Sequence, residues 1–464
     1  MKKLMIVGAA ALVAWSAFAE VRIVAPEKGA VVPLLTSAQK AYLTLPRAER
    51  REKFADGHFR DKEMGRPAEV VAGGRHDRET YWPKTVRLVW DSTKDGVECH
   101  LVVKSVKTGA CVWDAQVKGG VANVDNLEIA TEYEWTVSDG EGSASSRFVT
   151  EDMAPRLIRY PGVPNVRDLG GRIGLNGKRV RQGMVIRSAG LNDNAGHSYY
   201  TREELEKAGK LPELEKQIAE TEKRLAQLKG WQKDPKTMDR EDGEYKDWCT
   251  RHKNDPVTKF LSSRIDRARH KLKHKDFRIQ KGMAKGRSRV EGENGEYIRS
   301  RFGIKSDIDL RSDGECWGME GSPLGDSVTW FHISSGAYGG MQDEFGRKAF
   351  TEVFKVFLDR KNYPIDFHCI AGQDRTGAVA FIVNALLGVE EEQLYLDWET
   401  TGFWNRSTWF RHESLFDHLV RGFEKNYPDA PTMREKVERY VLSLGFTRED
   451  IETLRGIMLE DYGK

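Results

Sequence analysis

The ten residues His368-Cys369-Ile370-Ala371-Gly372-Gln373-Asp374-Arg375-Thr376-Gly377 constrain this chain more than any other stretch. They are entered from a strand-like run at Ile365 and Phe367 and left through an apolar run, Ala378 to Leu387, that suits a buried helix. A cysteine attacks only as its thiolate, and a loop of inward-pointing backbone N–H groups that closes onto a helix N-terminus favours negative charge. The same dipoles suit a bound phosphate. Arg375, six residues beyond Cys369, offers a planar fork for two phosphate oxygens, and Gly372 and Gly377 permit close backbone approach. Strand, loop and helix read as one device, a phosphate cradle around a thiolate.

Cys-x5-Arg-Thr-Gly after a histidine resembles the signature loop of the cysteine-dependent protein tyrosine phosphatase superfamily. Three further stretches stand upstream in the order seen in bacterial tyrosine/serine phosphatases: Asn165-Val166-Arg167-Asp168-Leu169-Gly170-Gly171, Ile186-Arg187-Ser188, and Gly303-Ile304-Lys305-Ser306-Asp307-Ile308-Asp309-Leu310-Arg311-Ser312. A buried cysteine in an ordinary strand-turn-helix would account for one of the four stretches, not for all of them in order.

The resemblance implies an α/β domain over residues 153–464, a central sheet flanked by helices. It implies that Cys369 attacks phosphorus, that Arg375 and the backbone of Ile370, Ala371, Gly372 and Gln373 hold the phosphate oxygens, and that Thr376 assists the departing sulfur. It implies Asp374 as proton donor, with Asp309 and Asp313 as lesser candidates. Asp168, the Gly170-Gly171 pair and Arg187 are expected near the mouth of the site, although Gly-Gly is also a plain turn signal and Arg187 could simply pair with a carboxylate. Asp309 and Arg311 are expected at a strand end, where α/β folds place ligand contacts. No cofactor is implied, and no Cys/His spacing suggests zinc. Phosphotyrosine is the first substrate expected, with phosphoserine or phosphothreonine beside it. Inositol phosphates and phosphoinositides come second, because related lipid-phosphate loops often carry Lys where Gln373 stands. A non-catalytic module that holds phosphorylated ligands is the alternative from another class; intact Cys369, Asp374 and Arg375 favour the enzyme.

At 464 residues the chain suits two or three domains, and 39% hydrophobic residues with 10% aromatics provide for real cores. Lys2 and Lys3, the apolar run Leu4 to Phe18, and Ala17-Phe18-Ala19 read as a signal peptide over residues 1–19, hence a soluble, exported bacterial protein, periplasmic or secreted. Of the five cysteines, Cys99, Cys111, Cys249, Cys316 and Cys369, an odd count leaves at least one free thiol. Cys99 and Cys111 fall in neighbouring strand-like runs, where a disulfide and two free thiols both fit.

From residue 20 to 152 the chain reads as an all-β sandwich. Val86-Arg87-Leu88-Val89-Trp90, His100 to Val103 and Tyr133 to Val137 all alternate. Leu127 followed by Tyr133, then Trp135, with Trp90 on an early strand, resembles a fibronectin type III-like domain with its tyrosine corner. Such a domain serves as spacer or docking module more often than as a carbohydrate binder. Residues 36–76 fit it poorly, being charged and helix-like over Ser37 to Phe54, and read as an inserted or packing segment.

Residues 194–296 depart from the phosphatase pattern and read as a helical insertion. Thr201-x-x-Glu204 is a capping box, and Leu211, Leu214, Ile218, Leu225 and Leu228 keep 3-4 spacing with Thr221 the one polar seam position, as do Leu261, Ile265, Ala268 and Leu272. The loop holding Pro235, Gly243 and Pro256 makes these an antiparallel hairpin, and Gly282 to Gly295 reads as a flexible return. Overall charge is only +3, yet residues 251–289 carry fourteen Lys/Arg against three Asp. That field would attract polyanions, though a solvated helix face fits equally well. Beyond Gly388 three amphipathic helices are expected, at Leu415 to Phe423, Met433 to Leu444 and Ile451 to Leu459, with the aromatics Trp398, Phe403, Trp404, Trp409 and Phe410 as core.

Overall fold

The computed structural model describes residues 21–50, 82–92, 96–252, 256–403 and 414–462. The signal peptide expected at 1–19, residues 51–76 of the charged segment, and Trp404, Trp409 and Phe410 lie outside them. The chain divides into two units, Met1–Asn194 with Arg287–Lys464, and Ala195–Gly286.

Among its described residues the first unit opens with eight strands: β1 (Arg22–Ala25), β2 (Ala30–Val32), β3 (Val86–Asp91), β4 (Glu98–Ser105), β5 (Cys111–Lys118), β6 (Val121–Val124), β7 (Glu132–Ser138) and β8 (Ser143–Thr150). They form a three-stranded sheet, β1-β3-β6, and a five-stranded one, β2-β8-β7-β4-β5. Alternation decides which residues face inward: Val86, Leu88 and Trp90 of one sheet share a core with Leu101, Val103, Tyr133, Trp135 and Val137 of the other. Trp90 and Trp135 meet edge to face at 6.4 Å, and the Glu128 amide donates to the Tyr133 hydroxyl at 2.9 Å. Cys99 and Cys111 are both free thiols. On the antiparallel β4–β5 pair Cys99 faces Val117 and Cys111 is opposite Lys104, at the other end of the ladder, so the two sulfurs cannot meet.

The described part of the charged segment is a packing element. Its helix, Ser37–Leu43, starts with a reciprocal cap between Thr36 and Gln39. Leu35, Tyr42 and Leu43 bury against Leu157, Leu396 and Phe403, and the buried Arg50 donates to Glu399 at 2.8 Å.

The α/β domain is built on β9 (Arg167–Asp168), β10 (Val185–Ser188), β13 (Ser306–Asp309), β14 (Thr329–His332) and β15 (Ile365–His368), in the order β14-β13-β15-β10-β9. Four strands run parallel and β9 is antiparallel to β10. Strands β13 and β15 are buried throughout. A parallel strand covered on both faces is normally apolar on both. Here Ile308, Ile365 and Phe367 enter the apolar core, whereas Asp307, Asp309, Asp366 and His368 are polar and equally buried. One side of the sheet centre is therefore a polar layer, and it lies directly before the cysteine loop. The helix Arg375–Leu386 follows, with every residue from Thr376 onward buried. Gly388, at φ +75°, ends this run. The C-terminal helices Met433–Ser443 and Arg448–Met458 carry reciprocal caps at Thr432/Glu435 and Thr447/Asp450.

The second unit has its own framework. Strands β11 (Gly196–Tyr199) and β12 (Gln280–Ala284) pair antiparallel, and helices Leu211–Lys233 and Pro256–Lys273 share a core of Leu228, Trp231, Met238, Tyr245, Phe260, Leu261 and Ile265. Three expectations are corrected here. The loop between the hairpin arms contains a third helix, Gly243–Arg251, capped by the Asp242 carboxylate on the Tyr245 amide. The stretch Gly282 to Gly295 holds strand and helix residues in place of a flexible return. The second unit ends at Gly286, short of the expected bound at 296, and helix Glu293–Phe302 buries Ile298 in a cluster with Ile304, Leu324 and Ile186 of the first unit.

At the junction, the Asp193 amide donates to the Arg287 carbonyl at 2.8 Å, and Arg289 pairs with Asp193 at 2.9 Å. Chain entry and exit are thus tied together within the first unit. Deleting residues 195–286 behind a short Gly/Ser link should leave a cooperatively folding protein whose melting temperature stays within a few degrees of the parent's. An aggregated or unfolded product would show that the second unit supports the first.

Candidate active site

Cys369 sits at the end of β15 with 2% of its surface exposed. The loop it begins is shaped from behind. The Ile370 carbonyl accepts from the Gly190 amide at 3.0 Å. Asn165 Nδ2 donates to the Ala371 carbonyl at 2.8 Å and to that of Gly372 at 3.2 Å, and Arg187 donates to Gly372 at 2.6 Å. Within a trans peptide the C=O and the following N–H point in opposite directions, so three carbonyls tied outward turn the amides of Ala371, Gly372 and Gln373 toward the loop centre. Gly372 is required twice over. Its φ is +64°, and a Cβ there would lie 2.3 Å from the Ser188 carbonyl oxygen. At Gly377 a Cβ would come within 2.7 Å of the Trp398 ring.

Burial pushes the Cys369 thiol up, but the Thr376 hydroxyl and amide and the Arg375 guanidinium outweigh it and hold the thiol below its ordinary value. Arg375 is held ready by Glu315, whose two oxygens lie 2.7 and 3.2 Å from its terminal nitrogens. Burial raises Glu315, yet Arg375 and the Ser312 amide and hydroxyl bring it down to about 2. Glu315 was not foreseen, although Ser312-x-x-Glu315 is a capping-box spacing visible in the sequence. Asp374 precedes the helix and its carboxylate accepts from the Tyr338 hydroxyl.

Beneath the cysteine the polar layer converges on His368. Its Nε2 lies 3.1 Å from Asp307 and its Nδ1 3.8 Å from Asp309. Burial pushes the imidazole down, but the two carboxylates prevail and raise it to about 9. Asp366, beside it, is raised by burial to about 7 and accepts from Ser188 at 2.9 Å. Burial and Asp309 push Cys316 up to about 12, the opposite direction from Cys369.

Several residues expected near the ligand are engaged in buried pairs and networks. Asp309 and Arg311 are fully buried and joined by Nε–Oδ1 and Nη2–Oδ2 contacts of 2.9 and 2.6 Å. Asp168 is also fully buried, holding Arg156 at 2.8 Å and the Gly170 and Gly183 amides at 2.8 and 2.6 Å. Arg187 acts on the loop from behind through Gly372, and pairs with Asp397. Asp397 also accepts from Arg167 and Arg172. Asp313 is exposed, 3.9 Å from His332. Among the described residues no group of three or more His, Cys, Asp or Glu side chains is arranged to hold a metal ion.

A loop of inward amides, a thiol biased toward its anion and a pre-aimed arginine can hold a tetrahedral dianion and attack it. Comparison with family models agrees, matching a tyrosine phosphatase family over residues 158–205 and 284–460. The α/β domain is similar to that tyrosine phosphatase family. The gap in the match, 206–283, falls within the second unit, and the match does not extend to strands β1 to β8. A search of curated proteins finds no match. The family match supports a phosphatase-type hydrolase acting on a phosphorylated substrate, with the loop from Cys369 to Arg375 inside the matched phosphatase region.

Proposed function

We propose that this chain is an exported phosphomonoesterase that hydrolyses phosphotyrosine, with phosphoserine or phosphothreonine as further substrates, through a cysteinyl-phosphate intermediate. The observation that carries this reading is the placement of Cys369 at the end of β15, with Arg375, held by Glu315 at 2.7 Å, opening the buried helix that follows the loop. The sulfur forms its bond to phosphorus as the bond to the leaving oxygen breaks, and that oxygen takes a proton from Asp374. Arg375 and the loop amides stabilise the equatorial oxygens. Water then attacks phosphorus, the P–S bond breaks with help from the Thr376 hydroxyl, and Asp374 recovers a proton from the water.

Export rests on the leader at 1–19. For the N-terminal sheets a fibronectin type III-like spacer is supported by the Tyr133 hydroxyl on the Glu128 amide. The basic arm 251–289 is proposed to hold a polyanion, with binding that weakens steeply with salt.

Purified protein should release phosphate from aryl phosphates. General-acid catalysis is typically worth about 100- to 10,000-fold and matters most for poor leaving groups. Asp374→Asn should therefore slow phenyl phosphate far more than p-nitrophenyl phosphate, whose leaving group hardly needs the proton. Equal slowing of both would remove Asp374 as the acid.

A further inference from the structure

Tyr338 lies outside every sequence motif of the site, on the loop that follows β14, in a short helical turn spanning Tyr338–Met341. Its backbone is at φ +52°, a region that a bulky side chain seldom occupies. The strain is held by its surroundings. Gly340 and Gln342 donate to the carbonyls of Ala337 and Gly339 at 2.9 and 3.0 Å, and the Tyr440 hydroxyl donates to Met341 at 2.6 Å. A Cβ on Gly346 would overlap the Gly340 carbonyl oxygen at 1.8 Å. So close a fit leaves the turn no room to relax, and the tyrosine stays in its costly conformation.

That conformation aims the side chain at the cysteine loop. The ring is buried, edge-on to Trp398 with centroids 6.4 Å apart, and Trp398 itself backs the helix at Gly377. The hydroxyl then donates to Asp374 Oδ1. A separate, rigid loop thereby reaches across to one carboxylate at the helix N-terminus.

We propose that Tyr338 is the positioning residue for Asp374 in proton transfer, an inference that rests on Asp374 being the acid of the proposed reaction. Hydrogen bonding to one oxygen fixes the rotamer of the carboxyl, so its proton leaves toward a single point above Cys369. The bond also strengthens as the carboxyl becomes a carboxylate, the form in which it is the better acceptor, so it assists the acid in the first step. In the second step it holds the carboxylate toward the attacking water. In this role Tyr338 acts through Asp374 rather than on phosphorus or the leaving oxygen.

The test is a double-mutant cycle on the full-length protein with phenyl phosphate and p-nitrophenyl phosphate. Tyr338→Phe keeps the ring against Trp398 and removes the donor alone. It should lower kcat on phenyl phosphate about 10- to 100-fold, the worth of a hydrogen bond to a charged group. KM should stay unchanged, and p-nitrophenyl phosphate should slow by no more than about 3-fold. In an Asp374→Asn background the same change should cost nothing further on phenyl phosphate. Equal loss on both substrates, a rise in KM, or full additivity with Asp374→Asn would each overturn the role of Tyr338. Failure of the acid reading looks different, since Asp374→Asn alone would then slow both substrates equally.

Discussion

Cys369→Ser should reduce phosphate release from any aryl phosphate by at least about 10,000-fold, the scale on which removal of a covalent nucleophile acts. The loop should survive the change. Its carbonyls are anchored by Gly190, Asn165 and Arg187 through bonds in which the sulfur takes no part. Inorganic phosphate should still protect the variant against thermal unfolding at least as well as it protects the parent. A thiolate beside a phosphate dianion is a like-charge contact, and a neutral hydroxyl removes it. The combination of lost turnover and retained binding separates an enzyme from a module that merely holds phosphorylated ligands. Turnover retained by the serine variant would mean that Cys369 is not the nucleophile. Loss of both activities would mean that the sulfur supports the loop, against the anchoring described above.

The parts legible in the sequence are those whose physics is local. The cysteine loop is a run of consecutive residues whose strand, turn and helix signals adjoin, and Gly372 is demanded by a backbone angle. The caps at Thr432 and Thr447 need partners only three residues away. What went unseen are partners far off in the chain. Arg187 finds Asp397 at a separation of 210 residues, and Asp374 finds Tyr338 at 36. The buried partners of Asp309, Arg311 and Asp168 went unseen for a related reason. A charged residue at a strand end reads as ligand-facing, and only packing reveals that each is sealed off and neutralised. In the second unit leucine spacing found the two long arms but missed Trp231, Tyr245 and Phe260, aromatics that break the aliphatic pattern yet fill its core. The turn at Tyr338 could not be foreseen, since a tyrosine at positive φ runs against every local preference.

The largest expected effect on stability is at Asp397, on helix Glu391–Glu399. Its carboxylate receives Arg167 at 3.2 Å, Arg172 at 3.1 Å, and Arg187. All four side chains are essentially without solvent, so one negative charge stands among three positive ones in a medium that screens poorly. Burial pushes Asp397 up, but Arg187, Arg167 and Arg172 override it and hold the carboxyl well below the usual carboxylate range. Burial and the neighbouring Arg187 likewise bring Arg167 down to about 9. Asp397→Asn keeps the shape and the acceptor oxygen but leaves three buried cations unneutralised, and breaking a buried pair in this way costs about 3–5 kcal/mol. The melting temperature should fall on the order of 10 °C at neutral pH. A depressed carboxylate stabilises the fold above its unfolded pKa of about 4 and loses that contribution as pH falls toward its folded value, so the gap between parent and variant should narrow in acid. Urea midpoints at pH 7 and pH 3 measure both effects, and equal midpoints at pH 7 would show that the arginines find other counter-charges. Activity should fall beyond what stability explains. Arg187 holds the Gly372 carbonyl outward and is itself steered by Asp397, so once Asp397 loses its charge the loop amides lose the support that aims them at phosphate.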